Sequence, residues 1–265
     1  MVKSPIAWAG GKYRLAEKIV SLFSDHTLYV EVFGGAGHVL FRKPPSRCEI
    51  YNDINRSLVC FFTVVKDKEK CGILYEKLNT TPYSRDLFNR CLNNLNLEVI
   101  SDAERAYSFA VVNKQSFGGL METWGVDMSR NKTALSFSNV KELLAGACER
   151  LNMVQLECKD FRYILKRYDR TNTLFYLDPP YAWSSNRSGR KIYAHELADC
   201  DHVELVDILL NLQGKAILSG YDTPLYDRLT DAGWRKVSMG DIAVTLNKKI
   251  GEKRIRKQEF VWYNF

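Results

Sequence analysis

A short apolar strand that stops at a run of glycines, with helical periodicity before it and a second strand soon after, admits few architectures. Leu15, Ala16, Ile19, Leu22 and Phe23 recur at helical spacing from Lys12 onward, and Leu28 to Phe33 then read as a buried strand ending at Gly34. A second strand, Cys48 to Tyr51, ends at Asn52-Asp53, and the apolar run from Leu58 to Val65 reads as the helix behind it. Strand-like segments return at Val154 to Leu156, Thr173 to Leu177 and Ala216 to Leu218, with helical patterns near His202 to Leu212 and Pro224 to Ala232. Glu259 to Phe265 are too apolar for a free tail and suit a terminal strand. The alternation predicts an α/β sheet.

Between about Lys66 and Asn152 this rhythm breaks, and polar helical patterns with a turn at Gly118-Gly119 take its place. The expected organisation is therefore one sheet domain, residues 1–65 and 153–265, around an inserted, mostly α-helical segment, residues 66–152. No internal repeat or low-complexity tract is visible.

Composition narrows the partners. A chain of 265 residues that is 46% hydrophobic buries a substantial core, and its formal charge of +7 leans toward polyanions. The seven cysteines form no C-x-x-C pair and fit reduced, intracellular thiols. His26, His38, His195 and His202 show no metal-ligand spacing, so no metal is expected. No stretch approaches the roughly 18 apolar residues of a membrane span, and no signal core precedes the first helix, so a soluble cytoplasmic protein is expected.

Four motifs carry chemistry. Asp178-Pro179-Pro180-Tyr181 follows the strand Thr173 to Leu177, which places a carboxylate, a rigid turn and an aromatic ring at the carboxyl edge of a sheet, where ligands of open α/β sheets bind. The prolines remove two backbone donors, so the turn offers acceptors suited to an amino group. The plainer alternative is a proline turn with Asp as a cap. Phe33-Gly34-Gly35-Ala36-Gly37 permits positive φ and close approach of a ligand to backbone, or simply turns the chain tightly. Asp53 suits either a ribose diol or the cap of the helix after Asn55. Trp8-Ala9-Gly10-Gly11-Lys12 is either a carboxylate-binding turn at a helix start or a loop with a core tryptophan.

In this order, W-A-G-G-K, Y-V-E-V-F-G-G-A-G, Y-N-D-I-N and D-P-P-Y closely resemble the Dam-type adenine-N6 DNA methyltransferases, almost end to end. The resemblance implies a Rossmann-like methyltransferase sheet, S-adenosylmethionine as cofactor and double-stranded DNA as partner, with the helical insert as target-recognition domain. It implies a cofactor site built from Trp8, Ala9, Gly10, Gly11, Lys12, Asp53 and Asp178, with Glu31, Phe33, Gly35 and Gly37 forming the turn beside it. Asp160-Phe161 resembles the family's Asp-Phe pair, the Asp accepting from the cofactor's adenine amine while Phe packs on its ring; read alone, Asp160 serves equally as a helix N-cap. Asp178, Pro179, Pro180 and Tyr181 then form the catalytic turn, Tyr181 stacking on a flipped base.

The stretch from Asn113 to Leu120 resembles the family's N-R-x-x-x-N-G-L region, so Asn113, Lys114, Phe117, Gly119 and Glu122 are expected near DNA. Family members that read GATC carry Asn where Gly118 stands and Arg where Glu122 stands, which predicts a different recognition sequence. Val32 replaces a common family proline. Two basic stretches complete the expected DNA surface: Arg187, Arg190 and Lys191 after the catalytic turn, and Lys248, Lys249, Lys253 and Arg254 near the end. The rival readings are an RNA adenine methyltransferase and a silent nucleic-acid-binding module.

Overall fold

The computed structural model describes every residue except Met1, Ala9, 127–133, 135–136, 138, 181–196 and 244–255. Its centre is a seven-stranded, mainly parallel sheet in the order β3-β2-β1-β4-β5-β7-β6. The strands are β1 (Leu28–Glu31), β2 (Cys48–Asn52), β3 (Val154–Glu157), β4 (Thr173–Leu177), β5 (Lys215–Tyr221), β6 (Arg235–Ala243) and β7 (Arg256–Tyr263). β1 to β5 pair in parallel, while β7 lies antiparallel between β5 and β6.

Strand periodicity sends successive residues to opposite faces, and each face has its own core. Tyr29, Tyr51, Tyr176, Ile217 and Val261 point to one. Their neighbours Val30, Ile50, Phe175, Leu218 and Trp262 point to the other. The first face is covered by α1 (Ala16–Val20), α2 (His38–Arg42) and α3 (Arg56–Lys66). β4 is buried along its whole length, as a central strand with both faces covered requires.

Among the described residues, the region expected to be helical contains the α-helices α4 (Lys68–Asn79), α5 (Arg85–Leu95), α6 (Asp102–Gln115) and α7 (Val140–Leu151) and a 3-10 turn at Phe117–Gly119. Ser101 caps α6 through the Glu104 amide, and nearly every side of α6 is buried. Phe109, Ala110 and Leu144 belong to the same hydrophobic cluster as Phe61, Phe62 and the sheet tyrosines. These helices thus share the core of one sheet face. On the other face lie α8 (Phe161–Tyr168), α9 (Asp199–Leu210) and α10 (Pro224–Asp231).

The α/β sheet expected from the alternation is present, with differences in detail: β5 is longer than expected and β7 begins three residues earlier. The first helix spans only Ala16–Val20, because the carbonyl of Lys12 closes a separate turn to the amides of Leu15 and Ala16. β1 ends at Glu31, two residues before the expected end, because Val32 and Phe33 already belong to the turn. β6 was not foreseen: it is an edge strand with an irregular register between Ser238 and Gly240, where Gly240 has φ +97°. Among the described residues no helix is long and apolar enough to cross a membrane.

Candidate active site

β1 and β4 are neighbours, and the connections leave them in opposite directions across the sheet, so a crevice opens at their carboxyl ends. A cavity of about 590 Å³ fills it, within the range of small-molecule sites. Its lining joins residues remote in sequence: Trp8 and Lys12, Glu31 and Phe33, Asp53, Asp160 and Phe161, and Asp178.

The glycine turn after β1 is shaped by contacts that exclude a side chain. Gly35 and Gly37 have φ +50° and +67°, and a Cβ on Gly35 would stand 2.7 Å from the Trp8 indole nitrogen. Asp53 stitches this turn to the next one, accepting from the Gly35 amide through Oδ2 and from the Asn55 amide through Oδ1, both at 2.8 Å. The helix cap is Asn55, whose side chain accepts from Ser57 and Leu58; of the two readings of Asp53, the cap is therefore excluded. Tyr51 braces the turn from below by donating its hydroxyl to the Gly35 carbonyl at 2.5 Å. Asn52 ties it sideways, bonding the Val32 carbonyl and both backbone groups of Lys159.

Asp160 both caps α8 and lines the cavity, and the rings of Phe33 and Phe161 face each other at 5.7 Å. Arg162 holds Asp160 at 3.1 Å and Asp201 at 2.5 Å, which fixes the lip of the crevice.

Beneath the Asp178 turn lies a buried charge cluster. Lys12 Nζ is 2.6 Å from Asp178 Oδ1 and 3.3 Å from Glu259 Oε1. Burial pulls the Lys12 ammonium down, but the two carboxylates outweigh it and hold it well above its ordinary value. Burial raises the Asp178 carboxyl against the opposing pull of Lys12. Glu31 is dry, accepts from the Tyr29 hydroxyl at 2.7 Å, and is pushed up to about 8 by burial. His38, also in the lining, is held down to about 4 by burial and by the cations of Lys114 and Lys12, so it is neutral at physiological pH.

The residues expected to face DNA separate into groups. Asn113 is buried and bonds the backbone of Ala7 with both ends of its amide, at 3.0 and 2.7 Å, so it clamps the Trp8 loop to the end of α6. Lys114 beside it is pulled down to about 8 by burial. Phe117 and Glu122 are exposed. Gly119 lines the cavity with φ +73°, and a Cβ there would stand 3.0 Å from that of Ala7; Met121, also in the lining, holds φ +60°, a strained value for a residue with a side chain. Ala9, Tyr181, Arg187, Arg190, Lys191, Lys248, Lys249, Lys253 and Arg254 lie outside the described residues.

Sequence reasoning missed Tyr51, Asn52, His38 and Glu259. The signal for Glu259 was available, since an acid beside the apolar run from Phe260 to Tyr263 is a buried charge in need of a partner.

Residues 8–238 match the family described as D12 class N6 adenine-specific DNA methyltransferase. A DNA N-6-adenine-methyltransferase of Escherichia phage P1 is 25% identical over 88% of this chain and 32% of its own length. A DNA adenine methylase of Haemophilus influenzae is 26% identical over 97% of this chain and 91% of its own length. The Type II methyltransferase M.FokI of Planomicrobium okeanokoites is 25% identical over 82% of this chain and 35% of its own. The chain thus spans about a third of the phage and M.FokI proteins and nearly all of the Haemophilus one.

Proposed function

The chain belongs to the D12 class N6 adenine-specific DNA methyltransferases, and on that premise we propose that it methylates the N6 amino group of adenine in duplex DNA, with S-adenosylmethionine as methyl donor. One observation carries the reading. Asp178 stands at the cavity with Lys12 on Oδ1, and among the described residues nothing hydrogen-bonds its Oδ2.

The cavity fits the donor: glycines that tolerate no Cβ, an aromatic pair and a carboxylate at each end make a slot for a ring, a sugar diol and an amino acid. Trp8, Phe33, Asp53, Asp160 and Phe161 would hold it. Bound there it would supply an electrophilic methyl group on a sulfonium, whose transfer to the amine nitrogen would leave the C–S pair on the thioether and release the amine's proton to solvent. Asp178 accepts a hydrogen of the amino group and so restores to nitrogen the lone-pair density that the ring withdraws. The carbonyl of Pro179 takes the second hydrogen. Positioning and fixed charge supply the acceleration, and no nucleophilic cysteine takes part. The target base leaves the stack to reach Asp178, with Tyr181 as its stacking platform.

The helical segment 66–152 serves as the target-recognition part, with Lys114, Phe117, Gly119 and Glu122 near the DNA and the two basic stretches on its phosphates. Glu122 accepts from a cytosine amine where an arginine would read guanine, so the site methylated is not GATC. Acting on DNA, the enzyme works in the cytoplasm.

The test is transfer of labelled methyl from S-adenosylmethionine to unmethylated duplex DNA and to RNA, with Asp178→Asn in parallel and modified adenines mapped. Methyl-adenine in DNA, lowered about 100-fold or more in the variant, is expected. Label confined to RNA, or undiminished in the variant, refutes the reading, and modification confined to GATC refutes the assignment of Glu122.

A further inference from the structure

Glu259 sits on β7 opposite Tyr221 of β5 and Gly240 of β6, fully buried at the same edge of the sheet as Asp178. Among the described residues Lys12 pairs with it, the same cation that holds Asp178. Two carboxylates therefore divide one ammonium in a dry site, the distances being 2.6 Å to Asp178 and 3.3 Å to Glu259.

We propose that Glu259 is a positioning residue for methyl transfer: by sharing Lys12, its carboxylate keeps Asp178 from being fully neutralised and so preserves its strength as acceptor of the target amine's hydrogen. A lysine paired with Asp178 alone would neutralise it, and a neutralised carboxylate is a poor acceptor. With Glu259 in place the cluster carries one net negative charge when all three groups are ionised. That charge meets the positive charge that grows on the amine nitrogen as its bond to carbon forms. Among the described residues Glu259 reaches Asp178 through Lys12.

Among the described residues, the other titratable groups that interact with Asp178 are Tyr176 on β4, Glu31 on β1 and Tyr226 on α10. Burial raises both tyrosines, so they stay neutral across the working pH range. Glu31 is protonated below about 8. Among the described residues Lys12 is the charge that acts on Asp178 most directly, and Glu259 acts on Lys12. Removing the negative charge of Glu259 makes the ionised form of Asp178 easier to hold and lowers its titration point, so the acid limb of the rate profile moves to lower pH.

The inference rests on Asp178 as acceptor of the amino group. The experiment compares the full chain with Glu259→Gln, Glu259→Asp and Asp178→Asn for kcat, KM for S-adenosylmethionine and DNA, thermal melting, and kcat against pH. Expected is a Glu259→Gln enzyme with KM values within about twofold of the parent and kcat lowered about tenfold or more. Its acid limb lies about one pH unit lower. Glu259→Asp, which keeps the charge but draws it back from Lys12, shifts both in the same direction by less. If the Gln variant does not fold, the Asp variant carries the test, and an unmoved acid limb in it overturns the proposal. A parental kcat and acid limb in Glu259→Gln also overturns it, as does a loss of kcat that follows melting with the acid limb unmoved. A parent that methylates no DNA adenine, or an active Asp178→Asn enzyme, instead refutes the underlying function.

Discussion

Replacing Gly34 by alanine sets a methyl group into the ring of Tyr51. Three ring carbons lie 2.2, 2.5 and 2.8 Å from the position of the new Cβ, where ordinary contact begins at 3.4 Å. Ring or turn must therefore move by about 1 Å. The ring has nowhere to go: Tyr51 is fully buried, packs edge-on against Phe62 at 5.2 Å, and spends its hydroxyl on the Gly35 carbonyl. Overpacking of this kind costs about 1–3 kcal/mol, and loss of the Tyr51 hydrogen bond adds about 1. If the turn yields, the resulting ~2–4 kcal/mol appears as an affinity for S-adenosylmethionine weakened about 30- to 1000-fold. If the core yields, it appears as a melting temperature lower by about 4–16 °C. Titration calorimetry and thermal melts on the same preparation separate the two. An alanine variant that binds and melts like the parent refutes the claim that Tyr51 fixes the turn.

The companion Gly72→Ala should stabilise, because Gly72 lies exposed in α4 with nothing within 4 Å of its Cβ position; a rise of about 0.5–1 kcal/mol is expected in urea unfolding. Asn113→Ala strips both partners from the backbone of Ala7 and should cost about 2–4 kcal/mol, split between melting and cofactor affinity; parental values in both would mean that Asn113 does not clamp the Trp8 loop. Glu31 titrates near 8 when folded and near the ordinary 4.5 when unfolded. The folded protein binds that proton more tightly, so its contribution is complete below about 4.5 and is lost as pH climbs to about 8. The loss amounts to about 3–5 kcal/mol. Melts from pH 5 to 9 should show this decline in the parent and a flatter profile in Glu31→Gln; equal slopes would contradict it.

Local pattern carried most of the sheet. β1, β2, β4 and β5 are apolar runs that end at glycine, acid or amide, and such punctuation is visible without a structure. β6 was not, because Arg235, Lys236, Ser238 and Asp241 interrupt its apolar residues and an edge strand needs little burial to form. The terminal strand was legible as a strand, whereas its antiparallel seat between β5 and β6 depends on pairing partners that periodicity does not name. The same gap explains the helices from α4 to α7. Their spacing marks them as helices, yet only the folded chain brings Phe109 and Leu144 into one core with Phe61 and Phe62.

At the site, residue type announced the chemistry and topology decided the partners. Asp53 had two readings from sequence, and Asn55 took the cap, which left Asp53 to join the two turns. Lys12 suggested a place for a ligand carboxylate, but its ammonium meets two carboxylates of the protein itself, one 166 and the other 247 positions further along the chain. No local pattern encodes a contact of that separation. Asn113, expected at the DNA, turns inward to Ala7.

That inward turn has a thermodynamic reading. Asn113 fastens the loop bearing Trp8 to the last turn of α6, and the chain continues directly through Lys114 and Phe117 to Gly119, which lines the cavity. In the proposed complex, a donor molecule and a DNA duplex on the two sides of this fastening would share one mechanical element. Whatever free energy the donor contributes to ordering it lowers the cost to the duplex, and the duplex returns the same amount. The factor by which each substrate tightens the other must then be equal, and loosening the Asn113 amide drives both factors toward one.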